Sequence, residues 1–181
     1  GATAAGKDIE IDLASYGTAL TIDASGLDAG TADADADGKF GDDTDAEQLI
    51  ITGTSGKALT VTGGDADDTI VGSSDSAAGD TLKGGAGEDT FTMAGNLAYT
   101  DTVDGGDGAD TMSLDSSTAL GDVAFMNVSN VENITMADTT ADLTLGAYAS
   151  AAKIAKVTVD SGNGNDVVNA AGMTTGIEIV G

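Results

Sequence analysis

Gly63-Gly64-Asp65-Ala66-Asp67-Asp68-Thr69-Ile70-Val71, Gly84-Gly85-Ala86-Gly87-Glu88-Asp89-Thr90-Phe91-Thr92 and Gly105-Gly106-Asp107-Gly108-Ala109-Asp110-Thr111-Met112-Ser113 repeat one pattern, each start lying 21 residues after the last. A second series runs in the gaps, Asp80-Thr81-Leu82, Asp101-Thr102-Val103 and Asp122-Val123-Ala124, with the same spacing of 21. Two series sharing one period identify a repeat architecture. The apolar residue two places after each aspartate gives two rows, Ile70, Phe91 and Met112 in one, Leu82 and Val103 with Val123 or Phe125 in the other. Each row is expected to form one wall of a core.

Working outward, short alternating stretches rich in Thr, Val and Ile read as strands at residues 9–13, 19–23, 48–52, 58–62, 133–136, 142–145, 156–159 and 177–180. They recur at about half the period. The predicted fold is all-β: a right-handed parallel β-solenoid, of the β-roll or β-helix kind, with rungs of about 21 residues. Residues 1–181 read as one elongated module, interrupted by an acidic insert at about 28–47. About eight rungs at the ~4.8 Å strand separation make a rod roughly 40 Å long. Glycine is too frequent for helix, except over 146–156, where a short helix or a bulged connection is expected. Proline is absent, which suits continuous ladders.

The charge balance excludes several functions. Thirty-one acidic residues face six lysines, for a net charge of -25, so nucleic acid and acidic membrane surfaces are poor partners. No apolar run approaches membrane-spanning length. Cysteine is absent, so cross-links must come from elsewhere, and bound cations are the natural source. Opening on Gly1 without a signal-peptide pattern, the chain reads as a processed form or a piece of something longer, with any export signal outside it.

The glycine-aspartate loops carry the chemistry. Glycines let the backbone take positive φ and turn carbonyl oxygens toward one point, where an aspartate adds an anionic oxygen. That hard oxygen set suits Ca2+. The expected ligands are Gly63, Asp65 and Asp68; Gly84, Gly85, Gly87 and Asp89; Gly105, Gly106, Asp107, Gly108 and Asp110; and, in a fourth, more divergent loop, Asn163, Gly164 and Asp166. Asp80, Asp101 and Asp122 are candidates on the opposite side, where the double glycine is mostly missing. Without metal, Asp68, Asp89 and Asp110 would form a column of like charge. As plain β-turns, the same stretches would need no ion.

These residues resemble the repeats-in-toxin family, whose nonapeptide is G-G-x-G-x-D-x-U-x with U apolar. The loops starting at Gly84 and Gly105 match every fixed position, the first departs at Ala66, and Ser161-Gly162-Asn163-Gly164-Asn165-Asp166 departs at its first residue. The resemblance implies a calcium-loaded solenoid that folds outside the cell. The Thr-Ala-Gly-Asp bias, with Asn127-Val128-Ser129-Asn130-Val131-Glu132-Asn133, is similar in composition to bacterial surface-layer proteins and giant adhesins.

In the insert, Asp33, Asp35, Asp37 and Gly38 satisfy the first half of an EF-hand-like loop, but Thr44 stands where the bidentate glutamate belongs. The stretch reads either as a further calcium site or as a solvated acidic loop. Catalysis is not expected: histidine, cysteine and arginine are absent and the lysines are scattered. A glycosidase needs only two carboxylates, but periodic aspartates are accounted for by metal, and few aromatics are available to stack on sugar.

The expected function is a secreted, extracellular, calcium-dependent structural protein of the bacterial cell surface, self-assembling as a surface-layer or filament subunit. Its alternative is a calcium-binding β-roll module of a larger secreted enzyme, toxin or adhesin. Partners expected are other copies of the chain, through solenoid edges, and cell-surface polysaccharide. Ice binding would want a flat array of regularly spaced threonines, and Thr139-Thr140 with Thr144 does not make one.

Overall fold

A computed structural model of the chain describes residues 9–12, 19–25, 48–52, 57–74, 77, 79–93, 97–115, 119–137, 142–160 and 166–181. The strands are numbered in chain order. Eight stack in one parallel sheet: β1 (Ile9–Asp12), β3 (Leu49–Thr52), β5 (Thr69–Val71), β7 (Thr90–Met93), β9 (Thr111–Leu114), β11 (Asn133–Met136), β13 (Lys156–Val159) and β15 (Glu178–Val180). Five form a second parallel sheet: β2 (Leu20–Asp23), β4 (Leu59–Thr62), β6 (Thr81–Ala86), β8 (Thr102–Asp107) and β10 (Val128–Ser129). A third sheet of two strands pairs β12 (Leu143–Thr144) with β14 (Val168–Asn169), and Leu120 bridges onto it.

This is a parallel β-solenoid. Consecutive strands alternate between sheets and each pairs with the next-but-one, so every rung rests on its neighbours. The register keeps like on like: Thr69 opposes Thr90 and Thr90 opposes Thr111, each a step of 21 residues. The step then loosens, from Thr111 to Asn133, Asn133 to Lys156 and Lys156 to Glu178, so the rung averages nearer 22.

Alternation sorts the side chains. Along the eight-stranded sheet Ile11, Ile51, Ile70, Phe91, Met112, Ile134 and Val157 fall in one inward column, and Ile179 continues its register at the last strand, where it is half exposed. Along the five-stranded sheet Ile22, Val61, Leu82, Val103 and Val128 form the other. The two expected rows are thus present and longer than expected, and they belong to one continuous core in which Ile70, Phe91, Met112, Leu82 and Val103 are fully buried. Burying one such side chain stabilises by about 1.5–3 kcal/mol.

Two expectations fail beyond Leu114. The residue paired with Val103 is Val128, not Val123 or Phe125, and Val123 is 55% exposed. Asp122–Phe125 is a short 3-10 helix that buries Ala124 and Phe125 instead of continuing the strand series. The cause lies in the next rung. The second sheet stops at β10, and helix α1 (Ala147–Ala151), inside the stretch where a short helix was expected, covers that end with Ala149 and Ala152 buried. The Val131 amide donates to the Ala152 carbonyl at 3.0 Å.

Candidate functional site

The repeat aspartates sit inside the solenoid. Asp68, Asp80, Asp89, Asp101 and Asp110 are each at most 2% exposed. Burying a carboxylate is unfavourable unless it is hydrogen-bonded, and the rung below supplies the donors. Asp68 Oδ1 accepts from the Leu49 amide at 2.7 Å, Asp89 Oδ1 from the Asp68 amide at 2.7 Å, and Asp110 Oδ1 from the Asp89 amide at 2.8 Å. Glu132 ends this column, its Oε2 accepting from the Asp110 amide at 3.0 Å. On the other side Asp80 Oδ1 takes the Leu59 amide and Asp101 Oδ1 the Asp80 amide, both at 2.9 Å. Each aspartate is therefore a fastener between two rungs, which is why its position repeats so strictly.

The second carboxylate oxygen separates the two sides. Asp80 Oδ2 accepts from the Ser73 amide at 2.7 Å and Asp101 Oδ2 from the Ala98 amide at 2.8 Å, so both oxygens on this side are engaged by main chain. Asp68 Oδ2 is engaged likewise by the Gly64 amide at 2.8 Å. Asp89 Oδ2 and Asp110 Oδ2, by contrast, are buried with no hydrogen-bond partner. They belong to the two loops that match the nonapeptide at every fixed position.

Glycine geometry accompanies that difference. Gly85, Gly87, Gly106 and Gly108 have φ of 124°, 114°, 109° and 145°. The first loop has Ala66 in the place of Gly87, and neither Gly63 nor Gly64 adopts positive φ. A Cβ at Gly84 would strike Asp89 Oδ2 and the Gly105 carbonyl oxygen, and one at Gly105 would strike Asp110 Oδ2 and the Asn130 carbonyl oxygen. At each of these glycines, as at Gly63 with Asp68 Oδ2 and the Gly84 carbonyl oxygen, a carboxylate oxygen and a carbonyl oxygen of the next rung lie beside a bare Cα; only at Gly84 and Gly105 does that carboxylate oxygen have no hydrogen-bond partner.

A buried carboxylate oxygen with no donor of its own is stabilised by a cation or by a proton. Burial raises the Asp89 carboxyl to about 7, against the opposing effect of the Asp68 amide hydrogen bond, with the neighbouring charges of Asp68 and Asp110 adding to the rise. Burial also raises Asp68, Asp101 and Asp110. The chemistry of the donor set, a carboxylate oxygen with main-chain carbonyls, fits a hard cation such as Ca2+. Among the described residues no three acidic side chains converge, so carbonyls would have to complete the coordination shell.

Compared with known proteins, the chain matches no family. No curated protein and no solved structure matches it significantly either.

The remaining expected ligands are distributed as follows. Asp65 and Asp107 are exposed at the loop surface. Asp122 stands outside the Asp80 and Asp101 column: its Oδ1 accepts from the Gly146 and Ala149 amides at 2.7 and 3.0 Å and its Oδ2 from the Tyr148 amide at 3.1 Å, pinning the start of α1. Asp166 precedes β14 and is partly buried, whereas Asn163, Gly164, Asp33, Asp35 and Asp37 lie outside the described residues. Two participants were missed from sequence. Asn130, at φ 51°, presents the carbonyl a glycine would otherwise present, and Glu132 replaces the next aspartate. The signal was faint: Glu132 lies 22 residues after Asp110, one beyond the period, and asparagine is among the few residues that tolerate positive φ.

Proposed function

We propose that this chain is a calcium-dependent structural protein of the bacterial cell surface, secreted and self-assembling as a surface-layer or filament subunit. The observation that carries the reading is the pair of buried, unpartnered oxygens, Asp89 Oδ2 and Asp110 Oδ2, each beside a glycine Cα that a carbonyl oxygen of the following rung also approaches. Calcium held by the carboxylate of one rung and a carbonyl of the next would bridge the two, so that ion binding and rung stacking become one event. The resemblance of these two loops to the repeats-in-toxin nonapeptide supports the same ion.

The mechanism is order supplied from outside. At low calcium the buried carboxylates oppose stacking, which favours an unfolded, exportable chain. At the calcium levels met outside a cell, weak sites of the ~10⁻⁴–10⁻³ M class fill and the rungs lock. Support for association comes from the exposed apolar side chains Tyr99, Val123, Met126 and Tyr148, which stand out on a surface otherwise rich in carboxylates. Among the described residues no helix is long and apolar enough to cross a membrane.

Circular dichroism and light scattering recorded together during a calcium titration of metal-free protein test this reading, with magnesium as the control. A calcium-specific gain of β signal followed by growth of large particles is the expected result. Folding with a persistent monomer would favour a calcium-binding module of a larger secreted protein, and a chain fully folded in chelator would overturn the calcium mechanism.

A further inference from the structure

Sheet register places a regular hydroxyl array on the outer face of the eight-stranded sheet. Strands β5, β7, β9 and β11 each present two outward residues: Thr69 and Val71, Thr90 and Thr92, Thr111 and Ser113, Asn133 and Thr135. Pairing is in register throughout, Thr69 with Thr90 and Thr111 in one column, Thr92 with Ser113 and Thr135 in the other. The second column continues to Thr158 in β13. All eight positions on these four strands are uncharged and partly exposed. In a chain of net charge -25 that is an unusual exclusion. The columns meet charge on the flanking strands, at Glu10, Lys156 and Glu178. The outer face of the other sheet has one uncharged column of its own, Thr21, Thr60, Thr81 and Thr102, but the column beside it, Thr62, Lys83, Asp104, carries charge, so no two-column array forms there.

The spacing of this array follows from strand geometry. Neighbouring columns stand about 6.6 Å apart, two residues along a strand, and neighbouring rows ~4.8 Å apart. These two repeats are close to those of oxygen rows on the faces of hexagonal ice. Threonine in a strand is held to few rotamers by its branched Cβ and its neighbours, so its hydroxyl and methyl groups keep the repeat of the backbone. A dry protein partner would have to bury six hydroxyls without matched donors, at a cost for each. An ordered water layer satisfies them all.

We propose that this face binds crystalline water, adsorbing the folded solenoid to ice through Thr69, Thr90, Thr92, Thr111, Ser113 and Thr135. The array arises from residues 21 or 22 apart in sequence, which only stacking brings together. The inference needs the solenoid folded and is independent of which ion or surface the protein uses.

The test is partition into a slowly growing ice hemisphere, using the full chain in calcium buffer with circular dichroism as the check on folding. Wild-type protein is expected to enter the ice, and the double substitution Thr92→Glu with Thr111→Glu to cut the incorporated fraction at least tenfold, to the level of a non-binding control protein. Lys83→Glu, which makes the same change of net charge on the exposed face of the other sheet, should leave incorporation unchanged. Exclusion of folded wild type from ice would overturn the proposal, as would equal loss in Lys83→Glu. If the double substitution instead dissolves particles formed by wild type without affecting ice, the face is an interface between copies and the proposal fails.

Discussion

Replacing Gly105 by alanine is expected to destabilise the solenoid by at least about 3 kcal/mol, the upper part of the range for overpacking a fixed site, and to abolish the calcium response. The added methyl would occupy the space where Asp110 Oδ2 and the Asn130 carbonyl converge. Neither can retreat cheaply. The Asp110 carboxylate is held through Oδ1 by the Asp89 amide, and the Asn130 side chain is tied to Asp104 at 2.7 Å. Gly121→Ala is the matched control, because nothing lies within 4 Å of a Cβ there and its φ of -92° suits alanine. Its effect should stay within about 0.5 kcal/mol, as for ordinary surface substitutions. Urea unfolding of both variants in calcium measures the difference. A Gly105→Ala protein as stable as wild type would mean that the close approach at this glycine is dispensable.

Metal-free protein is expected to lose stability as pH rises, the reverse of what most acid-sensitive proteins do. The sign follows from Asp89, whose carboxyl burial pushes up from 3.8 to about 7, and from Asp68, Asp101 and Asp110, which burial raises in the same direction. A group whose pKa is higher folded than unfolded holds its proton more tightly in the native state. Its contribution is fully present below the ordinary carboxylate value and is lost as pH climbs through the folded value. In chelator the thermal midpoint should therefore fall by several degrees between pH 5 and pH 8. In saturating calcium the trend should reverse, since the ion competes with the proton for Asp89 and Asp110. Thermal unfolding at fixed ionic strength across that range checks both arms, and a midpoint in chelator that rises with pH would contradict the assignment.

Much of the fold was legible because the repeat is strict where fasteners are needed. An aspartate reaching the amide of the rung below tolerates no slip, so Asp68, Asp89 and Asp110 keep a period of 21, as do Asp80 and Asp101. The alternating apolar rows follow from the same constraint. Legibility ended where the fastener changed. Beyond Asp110 a glutamate with one more methylene takes over, the step lengthens, and Asp122 leaves the column to hold the start of α1. Nothing in the spacing of Asp122 from Asp101 announces that change. The division between engaged and unpartnered carboxylate oxygens was equally hidden, since Asp68 and Asp89 occupy equivalent positions in sequence. It depends on whether a neighbouring amide points inward, which is set by the positive-φ glycines of the two later loops. The hydroxyl face was hidden for another reason: its members are scattered singly through the repeats, 21 or 22 residues apart, and only strand pairing sets them side by side.

The most direct measurement combines calcium calorimetry with metal-free thermal unfolding for the double substitution Asp89→Asn with Asp110→Asn, against Asp68→Asn. An amide nitrogen in the place of each Oδ2 is uncharged and carries its own protons, so the buried position no longer calls for a cation while the fastening through Oδ1 is kept. The double variant is predicted to bind two fewer calcium ions than wild type and to melt at a higher temperature in chelator, whereas Asp68→Asn leaves the ion count unchanged. An unaltered ion count in the double variant, or a lower midpoint in chelator, would contradict the claim that these two buried oxygens are the seats of the metal.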